Sequence, residues 1–201
     1  MFSVLAVFAL AGCSSATGGQ PAPVPSAAQP SASAPASSAA GTDVPKVQNP
    51  IDTSKVAADP CSVLTPDQVS YFIGGPVSPD KNKSAVGPSC SWSGNVQYDY
   101  ASIDVILDTV HKDGMTSVYA AKGKAYKFFQ PLPAADGYPL VAYDTKEART
   151  PGECAASLGV RDDQTLEVTI RQPDSRKEVN NPCDSAHAVA VAIIGNIRGG
   201  Q

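Results

Sequence analysis

The chain has 201 residues, a net charge of −4 and a sequence pI near 5.0. It carries no basic patch, so nucleic acid is excluded as a natural partner. Its apolar N-terminal run, Met1 to Leu10, is too short for a membrane-spanning helix, which needs roughly 20 residues.

That run leads into Leu10-Ala11-Gly12-Cys13 and then Ser14-Ser15. An apolar middle followed by small residues marks an export signal. The stretch resembles a bacterial lipobox, in which a signal peptidase cuts before the cysteine and Cys13 then carries the lipid. No Lys or Arg precedes Lys46. The basic start of such a signal is therefore missing, and the true start codon is expected upstream. Residues 1–12 are read as signal peptide, and the membrane is the first partner, reached through the lipid on Cys13. A single acyl chain anchors only marginally, at about 0.8 kcal/mol per buried CH₂, so two or three chains are needed for a stable tether.

Ser14 to Gly41 contains only Ala, Ser, Pro, Gly, Gln, Thr and Val. Such a segment cannot bury enough apolar surface to offset its ordering entropy. Residues 13–58 are read as a lipidated cysteine and a disordered stalk, which as a coil would reach about 35–40 Å. Residues 59–201 then form a single extracytoplasmic domain of the commonest size.

Within the domain, Thr65-Pro66-Asp67-Gln68 opens a helix with a capping box, and Gly74-Gly75-Pro76 stops it. Pro79 to Pro88 reads as a polar loop. Cys90-Ser91-Trp92 reads as a strand, with Trp92 in the core. Ala101 to Leu107 alternates, with Ile103, Val105 and Leu107 facing inward. Met115 to Ala121 is a short helix. Ala125 to Gln130 is a strand whose extent Pro131 and Pro133 limit. Tyr138 to Tyr143, Gly152 to Val160 and Thr165 to Arg171 are further strands, the last two joined by Asp162-Asp163 in a hairpin-like turn. Asn181-Pro182 opens a final helix to about Arg198, with Ala186, Val189, Ala190, Ile193, Ile194 and Ile197 as its buried stripe. Helix, strands, helix gives an α+β fold: an antiparallel sheet with N-terminal and C-terminal helices packed on it.

With Cys13 assigned to lipid, Cys61, Cys90, Cys154 and Cys183 remain, an even set that outside the cytoplasm implies two disulfides. Four cysteines allow three connectivities. Cys154 shares a strand face with Ala156, Leu158 and Val160, while Cys183 shares a helix face with Ala186, Ala190 and Ile193. Both point inward, which favours Cys154–Cys183 and leaves Cys61–Cys90.

Asp59-Pro60-Cys61-Ser62-Val63-Leu64-Thr65-Pro66, then Gly74-Gly75, Cys90-Ser91-Trp92, the strand with Cys154, and Asn181-Pro182-Cys183 together resemble the actinobacterial lipoprotein family catalogued as domain of unknown function 3558. That family is similar in layout to the extracellular sensor domains of mycobacterial serine/threonine kinases, a likeness of fold alone. The resemblance implies Cys13 as lipid site and the four cysteines as bridges. It brings no activity with it.

No nucleophile elbow, zinc-protease helix, Walker loop or dinucleotide fingerprint is present, so neither catalytic nor metal residues are assigned and no cofactor is expected. His111 beside Asp108 and Asp113 reads as a solvated residue, and His187 near Asp184 as a partly exposed helix residue. Asp162-Asp163 and Asp104/Asp108 read as turn and strand-surface carboxylates. Lys112, Lys122, Lys124 and Lys127 surround Tyr119 and Tyr126 as a solvated face. Tyr119, Tyr126, Phe128, Phe129 and Tyr138 are candidates to line a pocket, although core packing explains them as well. The expected function is a ligand- or partner-binding module of the cell envelope, its partner an envelope lipid, a wall polymer or a protein. The alternatives are an accessory subunit without a pocket and, further off, a wall hydrolase.

Overall fold

The computed structural model describes residues 44–95, 98–146, 150–177 and 179–199. The stretch read as a lipobox, with Cys13, and the expected stalk as far as residue 43 lie outside the described residues.

Seven strands form one antiparallel sheet: β1 (Asp80–Lys83), β2 (Pro88–Trp92), β3 (Ser102–Leu107), β4 (Phe128–Ala135), β5 (Tyr138–Asp144), β6 (Glu153–Arg161) and β7 (Gln164–Arg171). Their order across the sheet is β1-β2-β3-β7-β6-β5-β4. Side chains alternate between two faces. Ile103, Val105 and Leu107 on β3 lie beside Ile170, Val168 and Leu166 on β7, and that apolar row continues through Cys154, Ala156 and Leu158 on β6. Helix α4 (Pro182–Gly199) covers this face, with Ala186, Val189, Ala190, Ile193 and Ile194 buried. Alanines at the contact let the helix axis approach the sheet closely. Helix α1 (Ser54–Ala58), a 3₁₀ turn over Pro60–Val63 and helix α2 (Pro66–Ile73) complete the layer.

The local signals for α2 act as chemistry requires. Gln68 N donates to Thr65 Oγ1 at 3.3 Å, and Thr65 N donates to Gln68 Oε1 at 2.8 Å, so two orphan amides are satisfied reciprocally. Gly74 ends the helix at φ 106°, a conformation that favours glycine.

Helix α3 (Met115–Ala120) lies on the opposite face, where Met115 and Val118 pack with Val141. Gly159 on β6 makes room for it: a Cβ there would stand 2.8 Å from Met115 Cγ.

Three elements differ from sequence expectation. The stalk does not extend to residue 58: Val47, Ile51 and Val56 are core residues, and Ile51 N donates to Val160 O at 3.0 Å. Their spacing lacks a helix or strand period, because Val47 and Ile51 anchor an irregular segment that crosses the end of the sheet and Val56 sits in the short helix α1 that follows. The expected loop at 79–88 contains β1, whose residues Asp-Lys-Asn-Lys are all exposed. An edge strand needs no apolar face, and its charges deter further pairing. Finally, β4 runs through Pro131 and Pro133 and does not end before them. It is the other edge strand, where a missing N–H can face solvent, and its register shift falls between Leu132 and Ala135, around Pro133.

Two disulfides fasten the layers. Cys61–Cys90 joins the 3₁₀ turn to β2, with Cα atoms 5.1 Å apart; Cys154–Cys183 joins β6 to the first turn of α4, at 5.2 Å. Each has a sequence separation of 29. Loop-closure entropy for that span is worth about 3.5 kcal/mol. Replacing Cys154 and Cys183 by alanine is expected to lower unfolding free energy by about that amount in denaturant titration, and an unchanged midpoint would contradict the clamp.

Candidate binding cavity

A cavity of about 530 Å³ opens where α1, the 3₁₀ turn and the last turns of α4 meet. Val56, Val63 and Ile197 supply its apolar surface, and Asp52, Lys55, Ser62 and Asn196 its polar groups. Each wall is fixed by its own bonds. Asp52 accepts from Ser54 N at 2.9 Å and Ser54 Oγ at 3.0 Å, which holds the start of α1. These bonds keep its carboxyl below the usual range, the Ser54 amide first among them. Thr53, just beside it, is buried and donates from Oγ1 to Gln164 Oε1 at 2.5 Å. Opposite, Asn196 Nδ2 donates to Val63 O at 2.8 Å and to Gln68 Oε1 at 2.6 Å, and Gln68 Nε2 returns a bond to Asn196 Oδ1 at 3.3 Å. One carboxamide thus serves the α2 cap and ties α4 to the 3₁₀ turn. The cavity is held open by hydrogen-bonded secondary structure, as a preformed ligand site requires.

The residues singled out from the sequence lie elsewhere. His111 Nδ1 stands 2.7 Å from Asp108 Oδ2, and the pair is local: Asp108 Oδ1 also accepts from the Val110 and His111 amides, each at 2.9 Å. Burial raises the Asp108 carboxyl, but the His111 side chain and those two amides together outweigh it and hold it below its ordinary value. Asp113 begins the turn into α3, where its carbonyl accepts from Thr116 N. His187 points to β4, with Nε2 3.3 Å from Ala134 O, while Asp184 accepts from Asn181 Nδ2 at 3.4 Å. Asp104 accepts from Ser91 Oγ at 2.5 Å and pairs with Arg171, which also reaches Glu153 at 3.7 Å. Asp162 accepts from Val47 N at 3.0 Å, and Asp163 pairs with Arg161 at 2.9 Å. Among the described residues, no three His, Cys, Asp or Glu side chains are grouped to hold a metal ion.

The five aromatic candidates do not line the cavity. Strand alternation divides them. Phe129 meets Tyr119 edge-on at 5.0 Å and lies under Lys122 Nζ at 5.4 Å, all on the α3 face. Phe128 packs against the main core, and Tyr138 is buried with its hydroxyl donating to Asn49 O at 2.7 Å. Tyr126 stacks on Tyr143 at 4.2 Å. Lys112, Lys122, Lys124 and Lys127 are exposed around them.

Sequence reasoning missed Glu167. It faces away from α4, as β7 alternation dictates, but that face is covered too. Glu167 as a residue keeps partial solvent contact, while its carboxylate is enclosed. It accepts from Ser157 Oγ at 2.6 Å and from the Tyr143 hydroxyl. Burial pushes the carboxyl above its usual range, against the pull of those hydrogen bonds. Burial likewise, with the Glu167 charge second, raises the Tyr143 phenol far above its ordinary value. A glutamate opposite Ser157 and one row from an outward tyrosine was the available signal.

A carboxyl whose folded pKa exceeds its unfolded value binds an extra proton in the native state between those two values. Stability from Glu167 is therefore full below the ordinary glutamate pKa and falls as pH rises through the raised one. Glu167→Gln is expected to flatten this slope in urea titrations from about pH 4 to about pH 8. Parallel curves for the two proteins would contradict the enclosure of this carboxylate.

No helix of the described residues is long and apolar enough to cross a membrane. No curated protein and no solved structure matches the chain. Residues 8–196, which include the whole of this site except Ile197, match the family described as Protein of unknown function (DUF3558). The chain belongs to that family.

Proposed function

We propose that this chain is an extracytoplasmic lipoprotein, anchored to the membrane through Cys13 and a stalk, whose domain binds a small amphipathic molecule of the cell envelope. The cavity beside α1 carries the proposal. Its volume of about 530 Å³ falls among small-molecule sites, which are mostly apolar with a few placed polar groups. Val56, Val63 and Ile197 suit an apolar body, and Lys55, Asp52 and Asn196 suit a polar head. Leu10-Ala11-Gly12-Cys13 supports export and lipidation, and two disulfides suit an oxidising compartment. Binding rather than catalysis is favoured because the residues lining the cavity include no histidine or cysteine, and His111 and His187 lie outside it.

Ile197→Trp would fill the cavity without touching the deepest core, since Ile197 is only partly buried. Native mass spectrometry of the protein incubated with envelope extract is expected to show a reproducible adduct that Ile197→Trp abolishes. An adduct retained by that variant, or no adduct at all, would contradict the proposal. Cys13→Ser is expected to move the protein from the membrane fraction into the medium; unchanged membrane retention would refute the anchor.

A further inference from the structure

At the other end of α4 lies a second concavity of about 460 Å³, between the C-terminal half of α2 and the segment preceding α4. The two sites occupy opposite poles. Arg198 at the end of α4 pairs with Asp136 in the β4–β5 turn, beside the cavity pole. The segment from Pro173 to Asn181 follows β7 at its far end. Along α4 the nearest lining residues of the two sites are Ala188 and Asn196, about 12 Å apart at about 1.5 Å per residue. Val44 enters the domain at the cavity pole, near Met115 and Asp162.

The far groove is built of different chemistry. Tyr71 is 81% exposed, and its ring is held edge-on by half-buried Phe72 at 5.3 Å. An exposed tyrosine beside a concavity offers a flat apolar surface without an internal partner for its outer face. Around it stand two carboxamides, Asn180 and Asn181, with Arg176 and Asp184. The polar wall is preorganised from beneath. Gln172 is 7% exposed, and in the carboxamide orientation that satisfies its neighbours its nitrogen donates to Arg176 O and Asn180 O, both at 3.1 Å. Asn181 Oδ1 accepts from Cys183 N at 3.1 Å and so caps α4. Arg176 lies against Gly74: a Cβ there would be 3.0 Å from its Nη2, which places the cation at the negative end of α2.

From this arrangement we infer that the far groove binds a neutral N-acetylated glycan chain. The aromatic face suits the C–H face of a pyranose ring. Planar amide, carboxylate and guanidinium groups match hydroxyls, which both donate and accept. One cation and one anion in the lining cancel, which argues against an anionic ligand. Ala188 and Val179, both exposed at the groove, offer small apolar contacts for an acetyl methyl, while Asn180 pairs with its amide. This site is independent of the cavity and of the anchor.

The test is calorimetric titration of the full-length, disulfide-bonded protein with chitohexaose, and with cellohexaose as the chain lacking acetamido groups. Chitohexaose is expected to bind in the micromolar to millimolar range, with cellohexaose at least about tenfold weaker. Tyr71→Ala and Asn180→Ala, both at exposed positions, are each expected to weaken chitohexaose binding about tenfold with thermal midpoint unchanged, and Ile197→Trp at the opposite pole to leave it intact. Absence of binding by chitohexaose overturns the inference, as does equal affinity for the two sugars. Binding that survives Tyr71→Ala also overturns it, because the sugar would then lie elsewhere.

Discussion

The contact between α4 and strands β6 and β7, locked by Cys154–Cys183, is the interaction on which the other features depend. Ala186 and Ala190 bring the helix down onto Ala156, Leu158, Leu166 and Val168, and the disulfide fixes its first turn to β6. Once that helix is placed, its two ends are placed as well. Asn196 and Ile197 at one end become a wall of the cavity, and Asn181 and Asp184 at the other become a wall of the groove. Helix α2, running alongside, contributes its capping residue Gln68 to the first pole and Tyr71 to the second. Both concavities thus take a wall from one close-packed helix.

The second face of the sheet is organised by a different constraint. It carries polar residues beside the small apolar cluster of Met115, Val118 and Val141, and is partly covered by α3, Tyr126 and Tyr143. A carboxylate enclosed there must be hydrogen-bonded or neutral, because desolvation of an unpaired charge costs several kcal/mol. Glu167 meets this with Ser157 and Tyr143 as donors, and the desolvation they do not offset is what raises its pKa. At the outer margin of the same face, Asp104, Arg171 and Glu153 form exposed pairs, which contribute little to stability individually.

Much of this was legible in the residues. The capping box at Thr65–Gln68, the period-two alternation of β3 and β7, and the α4 stripe each carry a local signal that matches the global arrangement, and the α+β class follows from them. Side-chain direction favoured the cysteine pairs that the structure contains. What escaped notice has no local period. Val47 and Ile51 anchor an irregular segment, Val56 a helix of only five residues, and all three sit after a low-complexity tract, so composition assigned them to the stalk. Edge strands β1 and β4 carry polar residues and prolines because an edge tolerates both. The cavity joins positions 52–63 to 196–197, and no sequence pattern links segments so far apart. Glu167 carries no local signal of its enclosure, because alternation reports which face a side chain occupies and not whether that face is covered.

Packing of the segment before Asp59 into the domain is the central claim, since it supplies α1 and with it half of the cavity. Amide hydrogen exchange on the intact protein tests it most directly, at Ile51, whose N–H donates to Val160 O. Protection of the Ile51 amide comparable to that of neighbouring β6 amides is expected. Exchange at the rate of an unstructured chain would return residues 44–58 to the stalk and leave the cavity without a wall.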